Sequence, residues 1–329
     1  MTTALDAPVE KLLERFAARD RRALARLMTR VENRAPDVPA IMRRIYPLAG
    51  RAAIIGLTGP PGAGKSTLVD RLIRRYRSAG RSVGVVAVDP SSPFSGGAVL
   101  GDRVRMQAHF LDPGVFIRSL SSRGRHGGLA HATREVVHLL DAFGLDVVLV
   151  ETVGVGQTEL DIMQLAHTTV VVLVPEAGDT IQVMKAGLLE IADVFVVNKA
   201  DRDGAKRLAH ELRATLQLLP AGDWSVPVVL TEATSDRGID ELFADLEAHG
   251  KWRAAARAGD GRLERERELT DVVRHELELR LERALKSPEL APMVERVRSG
   301  AIDPYSGALE ILADEEHIRR LLQSRDDGL

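Results

Sequence analysis

The stretch GPPGAGKST, residues 59–67, constrains the fold of this chain more than any other part of the sequence. Residues 59–66 match the pattern G-x-x-x-x-G-K-[ST], which requires an apolar strand before it and a helix after it. Both are predicted here, from the apolar run 52–57 and the amphipathic run 67–76. In such a loop, backbone N–H groups and the helix N-terminus surround phosphate oxygens. The predicted phosphate-binding residues are Gly59, Pro60, Pro61, Gly62, Ala63, Gly64, Lys65, Ser66 and Thr67.

Two of these residues have further predicted roles. The Lys65 ammonium is expected to reach the β and γ phosphates, which makes it a catalytic candidate as well as a binding residue. The Ser66 hydroxyl is expected to be a ligand of Mg²⁺.

Seven short apolar runs alternate with amphipathic helices between residues 51 and 250. Their nearly continuous apolar character is typical of strands covered on both faces, and the helices between them predict right-handed parallel crossovers. The sequence therefore predicts an α/β fold, the three-layer fold of P-loop nucleoside triphosphatases with a mostly parallel central sheet. The predicted strands are 52–57, 83–88, 115–117, 147–151, 169–174, 194–197 and 226–230.

Helical extensions are predicted on both sides of this central domain, 51–250. Residues 1–50 predict an N-terminal helical arm, in which two short helices each have one apolar face. Residues 251–329 predict further helices, with an apolar residue at every fourth position from Leu269 to Leu285. That stripe is compatible with a lid packed on the same domain and with a dimer interface.

The tetrapeptide NKAD, residues 198–201, predicts which base the site binds. The Asp201 carboxylate can accept hydrogen bonds from the ring N–H and the exocyclic amine of guanine, whereas adenine offers no such pair of donors. Asn198 and Lys199 are expected to tie this loop to the phosphate loop and to pack the base. The predicted cofactor is therefore GTP or GDP rather than ATP.

A second loop, TEAT at 231–234, follows the last predicted strand. GTPases place a short loop there, and its backbone contacts the guanine O6. We therefore expect Thr231, Glu232 and Ala233 to be part of the base site, although Glu232 stands where a serine is more usual.

Residues 146–157, DVVLVETVGVGQ, predict a strand that ends in a carboxylate and is followed by a glycine turn. Glu151 is expected to hold Mg²⁺ through a water molecule, and the Gly154 N–H to contact the γ-phosphate. Gln157 is a catalytic candidate, but it lies three residues after Gly154 rather than directly after it. Because a water-positioning role cannot be assumed for it, intrinsic hydrolysis is expected to be slow and open to stimulation by a partner.

Two more carboxylates are candidate metal ligands. Asp89 ends the second predicted strand, and Asp102 follows a glycine-rich loop. Beside Ser66 and Glu151 they would complete an oxygen-only shell that suits Mg²⁺. Their spacing alone also fits two aspartates on surface loops.

Composition excludes several other classes of protein. The chain of 329 residues has no cysteine, which rules out disulfides, zinc ribbons and thiolate chemistry. Its formal net charge of −2 gives no sign of a nucleic-acid partner or an anionic membrane surface. No apolar run approaches the length of about 18 residues that a bilayer-spanning helix needs, and the first residues lack the apolar core of a signal peptide. A cytoplasmic location is expected, although a mature organelle protein would show the same features.

Four motifs together resemble those of one known family: GPPGAGKSTL, VDPSSPFSGGAVLGDRVRM, VETVGVGQTE and VVNKAD. In these the chain is similar to the MeaB/ArgK family of P-loop GTPases, which includes the methylmalonic aciduria type A protein. The resemblance implies a homodimeric GTPase chaperone of an adenosylcobalamin-dependent acyl-CoA mutase, which gates cofactor loading and protects or reactivates the mutase. It implies GTP/GDP and Mg²⁺ as cofactors, and a cobalamin adenosyltransferase is a further candidate partner.

The resemblance also concerns a segment that couples the partner to the nucleotide, called the third switch in this family, and the identity of the mutase that the protein serves, its client. The segment EAGDTIQVMKAG, residues 176–187, matches the family's third switch, in which Lys185 is a catalytic candidate; the alternative is a solvated helix lysine. Residues 93–97 read PFSGG where members that serve methylmalonyl-CoA mutase carry Thr-Arg-Thr-Gly-Gly. RSLSSRGRHGGLA, residues 118–130, likewise replaces their Pro-Ser-Pro-x-Ser-Gly. This variant is similar to members that serve isobutyryl- or hydroxyisobutyryl-CoA mutases.

Three other functions fit parts of the pattern. A metal-insertion GTPase for a nickel or cobalt enzyme would have a similar sheet, but such factors carry Cys or His clusters that this sequence lacks. A phosphotransferase needs an acceptor pocket and usually ATP, which NKAD argues against. A GTPase that binds RNA should show a basic patch. The metal-insertion GTPase is retained as the alternative.

Overall fold

The structure is a computed structural model that describes residues 6–89, 106–121, 128–152, 165–175, 188–220, 222–256 and 261–314. The chain divides into two compact units, residues 1–258 and 259–329. The first unit contains both the predicted N-terminal helices and the central α/β region. A dimerisation role for residues 251–329 stays a prediction.

All seven predicted strands are present, and they form one sheet. They are β1 (Ala53–Thr58), β2 (Val83–Asp89), β3 (Val115–Ser121), β4 (Val147–Thr152), β5 (Thr168–Leu173), β6 (Val194–Asn198) and β7 (Val228–Thr231). The sheet order is β3-β2-β4-β1-β5-β6-β7, and every neighbouring pair is parallel. The predicted α/β fold is thereby confirmed. Since all strands run the same way, the loops that follow β1, β4, β6 and β7 meet at one edge of the sheet, where such folds bind ligands.

Helices cover both faces of this sheet. The described helices of the first unit are α1 (Ala7–Ala17), α2 (Arg21–Glu32), α3 (Val38–Ile45), α4 (Lys65–Ser78), α5 (Gly128–Ala142), α6 (Leu188–Ile191), α7 (Ala205–Leu218) and α8 (Ile239–Ala256). One face packs against α4 and α8 in a single buried cluster. The other face packs against α1–α3 and α5 at one side, and against α6 and α7 at the other. The result is the expected three-layer arrangement.

The N-terminal helices contribute to the core of the first unit. The side chain of Asp20 caps α2 by accepting hydrogen bonds from the backbone N–H groups of Arg22 and Ala23. The apolar face of α2 is fully buried in the same cluster as Val136 and Val137 of α5. Burial of each such aliphatic side chain stabilises a fold by about 1.5–3 kcal/mol. Removing this arm would therefore expose core surface. The buried residues of α2 are Ala23, Leu24, Leu27, Met28 and Val31.

The second unit is helical over its described residues. They form α9 (Gly261–Ala284), α10 (Ala291–Arg298) and α11 (Pro304–Ala313). Asp303 caps α11 by accepting a hydrogen bond from the Ser306 N–H at 3.0 Å, and Arg296 pairs with Glu310 at 2.8 Å across α10 and α11. In the described part of the chain, every helix is too short or too polar to cross a bilayer.

Candidate nucleotide site

The phosphate loop connects β1 to α4 with glycines at positions where a side chain would clash. Gly59 has φ +145°, and a Cβ atom there would lie 2.1 Å from the carbonyl oxygen of Val172 in β5. Gly64 has φ +93°, and a Cβ atom there would lie 2.3 Å from the Asn198 Nδ2 atom. The loop is thus packed against two strands that follow later in the chain, which explains the glycines beyond their turn-forming ability.

Lys65 is the first residue of α4 and folds back over the loop. Its Nζ atom donates to the carbonyl oxygens of Gly59 at 2.7 Å and of Pro60 at 3.0 Å, and only 5% of the residue is exposed. These bonds hold the ammonium beside the loop's backbone and close to the positive end of the α4 dipole. An anion at this place would meet both positive groups.

Ser66 and Glu151 form a buried oxygen pair next to the loop. The Ser66 Oγ donates to the Glu151 Oε1 at 2.6 Å, and both residues are buried. Glu151 lies in β4 opposite Leu57 of β1 and Ala87 of β2, which places it at the same sheet edge as the loop. A hydroxyl and a carboxylate in contact are ligands that Mg²⁺ prefers. The residues present at this place therefore fit the metal that the sequence predicted.

Asn198, the last residue of β6, joins the phosphate loop to the two loops predicted to bind the base. Its Nδ2 donates to the carbonyl of Ala63 at 2.8 Å. Its Oδ1 accepts from the Thr231 Oγ1 at 3.0 Å and from the Ala233 N–H at 3.2 Å. Only 3% of Asn198 is exposed, so one buried amide fixes the relative positions of three segments.

The loop 199–203 begins with a residue in the left-handed conformation. Lys199 has φ +56°, which turns the chain sharply after β6. The Ala200 N–H donates to the Thr231 carbonyl at 3.0 Å, which ties this turn to the end of β7. Asp201 lies in the exposed part of the turn, beside the segment that begins at Thr231.

The segment 232–237 closes on itself. The backbone N–H of Glu232 donates to the Arg237 carbonyl at 3.0 Å, and the Ser235 Oγ donates to the Glu232 carboxylate at 2.8 Å. The Glu232 side chain therefore stabilises the conformation of this loop. The backbone of the loop stays the part that we expect to contact a base. Within this segment the Ala233 N–H donates to the Asn198 Oδ1 at 3.2 Å; the contact of the loop's backbone with the guanine O6 stays a prediction.

A sequence profile described as methylmalonyl-CoA mutase-associated GTPase MeaB matches residues 24–287. The chain belongs to the MeaB family. This confirms the resemblance drawn from the four motifs, and with it the prediction that the protein is a P-loop GTPase.

Individual relatives agree with the MeaB assignment. A protein of Pyrococcus abyssi whose name places it among the GTPases is 49% identical over 312 residues, covering 93% of this chain and 96% of its own. GTPase ArgK of Escherichia coli is 37% identical over 247 residues, covering 72% of this chain and 75% of its own. The crystal structure described as LAO/AO transport system kinase matches with a TM-score of 0.68 at 25% identity, covering 96% of this chain and 100% of that one.

Several predicted site residues of this MeaB-family chain lie outside the described residues. They are Asp102, Gly154, Gln157 and Lys185, so the roles given to them stay predictions. Asp89 is described through its backbone, as the last residue of β2 opposite Ser121. The described residues that the structure brings together are the phosphate loop, Ser66 with Glu151, and Asn198 with the two base loops.

Two arginines of α4, which no motif in the sequence indicated, contact the loop 232–238 that follows β7. Arg71 donates to backbone carbonyls of that loop, and Arg75 forms ion pairs with Asp236 and Asp240. Hydrogen bonds to Asp236 and then to Asp240 raise the pKa of Arg75 above its usual value. The only signal in the sequence is their four-residue spacing in a helix, which is also that of an ordinary polar face.

Proposed function

We propose that the protein is a GTP-driven chaperone of an adenosylcobalamin-dependent acyl-CoA mutase. In this account GTP binding and hydrolysis at the described site gate cofactor loading and protect or reactivate the mutase. The observation that carries the nucleotide part is the buried Asn198, which joins the phosphate loop to both base loops. The mutase part is supported by the description of the MeaB family, which associates its members with methylmalonyl-CoA mutase.

The described residues of the candidate site have the following roles in this proposal. The backbone of Gly59–Thr67, the α4 N-terminus and Lys65 bind the phosphates, and Lys65 neutralises charge that develops during hydrolysis. Asp201 accepts the two N–H donors of guanine, so that adenine leaves its carboxylate unpaired.

Mg²⁺, when bound, would neutralise charge on the β- and γ-phosphate oxygens. Ser66 and Glu151 are the described residues that would hold it, since their oxygens already meet at 2.6 Å. Asp89 and Asp102 are proposed to complete this shell. Gly154, Gln157 and Lys185 are proposed to sense the γ-phosphate and to respond to the partner. Hydrolysis without the partner is then expected to be slow.

The client is proposed to be methylmalonyl-CoA mutase or a related isobutyryl- or hydroxyisobutyryl-CoA mutase. The family description supports the first, and the departures at 93–97 and 118–130 favour the second group. A cobalamin adenosyltransferase is a further proposed partner, and the proposed location is the cytoplasm. Membership of the MeaB family favours this client over a nickel or cobalt enzyme.

A second copy of this chain is also a proposed partner, bound through α9. Leu269, Val273, Leu277, Leu281 and Leu285 lie at four-residue intervals, and each has 38% to 63% of its surface exposed. A continuous apolar stripe of this length is costly to leave in water, and a two-fold axis would let the stripe cover itself.

The experiment is affinity capture from extracts of a cobalamin-using cell on the immobilised protein, loaded with GDP or with a non-hydrolysable GTP analogue. An acyl-CoA mutase is expected to be retained in amounts that depend on the nucleotide. The Asp201→Asn variant is a matched control, because its retention of the mutase should respond to xanthosine nucleotides instead. If no acyl-CoA mutase is retained in either state, the chaperone proposal fails.

A further inference from the structure

Two arginines one turn apart on α4 hold the loop that follows β7. The Arg71 Nε donates to the Ala233 carbonyl at 2.8 Å, and one of its terminal nitrogens donates to the Thr234 carbonyl at 2.9 Å. Arg75 binds Asp236 at 2.8 Å and Asp240 at 2.6 Å. These contacts hold the loop against α4 from Ala233, near its beginning, to Asp240 at the start of α8.

Two residues of this loop have a positive φ, and one of them carries a side chain. Asp236 has φ +63°, which is uncommon for a residue with a side chain and costs free energy unless neighbours stabilise it. Gly238 has φ +72°, and a Cβ atom there would lie 2.1 Å from the Leu230 carbonyl oxygen. Arg75 donates directly to the Asp236 carboxylate at 2.8 Å, which helps to hold the chain in this conformation.

The contact of Arg71 also sets the direction of a backbone N–H group. In a trans peptide the C=O and N–H bonds point in opposite directions. Because the Ala233 carbonyl points to Arg71, the Thr234 N–H of the same peptide points away from Arg71. Asn198 holds the preceding N–H, that of Ala233, from another side at 3.2 Å.

The same helix carries at its first turn Lys65 and Ser66, the residues proposed to bind the phosphates and Mg²⁺. Arg71 lies less than two turns after Lys65 and Ser66, a distance of about 9 Å along the helix axis. The Arg71 side chain is 20% exposed, so its two bonds are partly shielded from water. Hydrogen bonds from a charged donor are roughly twice as strong as neutral ones, which suits a residue that fixes a loop.

We propose that Arg71 is a positioning residue for guanine recognition. It fixes the 233–234 peptide so that the Thr234 N–H is presented to the O6 atom of the bound base, and Arg75 keeps the rest of the loop in place. This rests on the proposed guanine site. In this proposal α4 contributes to the choice of base as well as to the proposed phosphate binding.

The test compares the variants Arg71→Gln and Arg71→Lys with Arg74→Gln, a matched control on the same helix. Among the described residues, the ion-pair partner of Arg74 is Asp70, at 3.2 Å. Competition binding and steady-state hydrolysis would be measured with GTP and with 6-thio-GTP, which keeps both donors read by Asp201 but has a weaker acceptor at position 6. The wild-type protein is expected to prefer GTP. In Arg71→Gln the KM for GTP should rise about tenfold, equivalent to about 1.4 kcal/mol, with little change in kcat.

The preference for GTP over 6-thio-GTP should shrink in Arg71→Gln, recover in part in Arg71→Lys, and stay unchanged in Arg74→Gln. An unchanged preference in Arg71→Gln would overturn the inference, as would an equal loss of affinity for both nucleotides. A wild-type protein that binds ATP as well as GTP would instead refute the guanine site itself.

Discussion

Replacing Asn198 by alanine tests whether one buried amide holds the nucleotide site together. The change removes three hydrogen bonds, to the Ala63 carbonyl, the Thr231 hydroxyl and the Ala233 N–H. At about 1 kcal/mol for each bond, the free energy of unfolding should fall by about 3 kcal/mol, and by more if the three partners stay unsatisfied. For a unit of this size that corresponds to a fall in Tm of roughly 6–12 °C.

The assay is thermal or chemical unfolding of Asn198→Ala beside Thr231→Val, which removes only one of the three bonds. Thr231→Val should cost about one third as much, roughly 1 kcal/mol. The double variant should be less destabilised than the sum of the two, because both single changes break the same bond. A loss of 1 kcal/mol or less in Asn198→Ala, or full additivity, would refute the reasoning.

Three further predictions follow from the site and from α9. Asp201→Asn should shift the preference from GTP toward xanthosine triphosphate in competition binding, and an unchanged affinity for GTP would remove Asp201 from the base site. Glu151→Gln should raise the Mg²⁺ concentration needed for half-maximal GTP hydrolysis by about 10- to 100-fold; a titration curve that does not move would exclude Glu151 from the metal site. Leu277→Asp, in the middle of the exposed stripe, should convert a dimer to a monomer in size-exclusion chromatography with light scattering, whereas Glu278→Gln should not. A wild-type monomer would contradict the proposed dimer.

Strands buried on both faces were the most predictable part of the fold, because most residues in them are apolar and the polar ones lie near the strand ends. The exceptions have local reasons. β3 continues to Ser121, four residues beyond the predicted end, since it is an edge strand and tolerates the polar Arg118, whose guanidinium pairs with Glu32 of α2. β7 begins at Val228 because Pro227 has no N–H to donate to the ladder.

The order of the strands and the place of the N-terminal helices could not be predicted. Apolar runs indicate which segments are strands, but the order depends on how helices pack against each other. The apolar faces of α1 and α2 were visible in the sequence. The surface that they cover, next to α5, depends on contacts between residues more than 100 positions apart in the chain, such as the hydrogen bond from Arg19 to the Ala142 carbonyl.

At the candidate site, the motifs indicated the residues that we expect to face the nucleotide, and they gave no sign of the arginines that hold the loop after β7. Glycine, lysine and asparagine at fixed spacings indicate a known chemistry, because few other residues can perform it. The two hydrogen bonds of Arg71 join residues 162 and 163 positions apart and end on backbone oxygens of the loop, beside an ion pair with Asp236 at 3.8 Å. Any loop sequence offers such oxygens, so no pattern of residue types marks the contact.

The measurement that tests the central claim most directly is the rate of GTP hydrolysis by the purified protein as a purified acyl-CoA mutase is added. We predict a saturable increase in the rate. The Asp201→Asn variant should show the same increase when it hydrolyses xanthosine triphosphate. A rate that stays constant at every concentration of methylmalonyl-CoA mutase and of the isobutyryl- and hydroxyisobutyryl-CoA mutases, with no complex formed in either nucleotide state, would contradict the account.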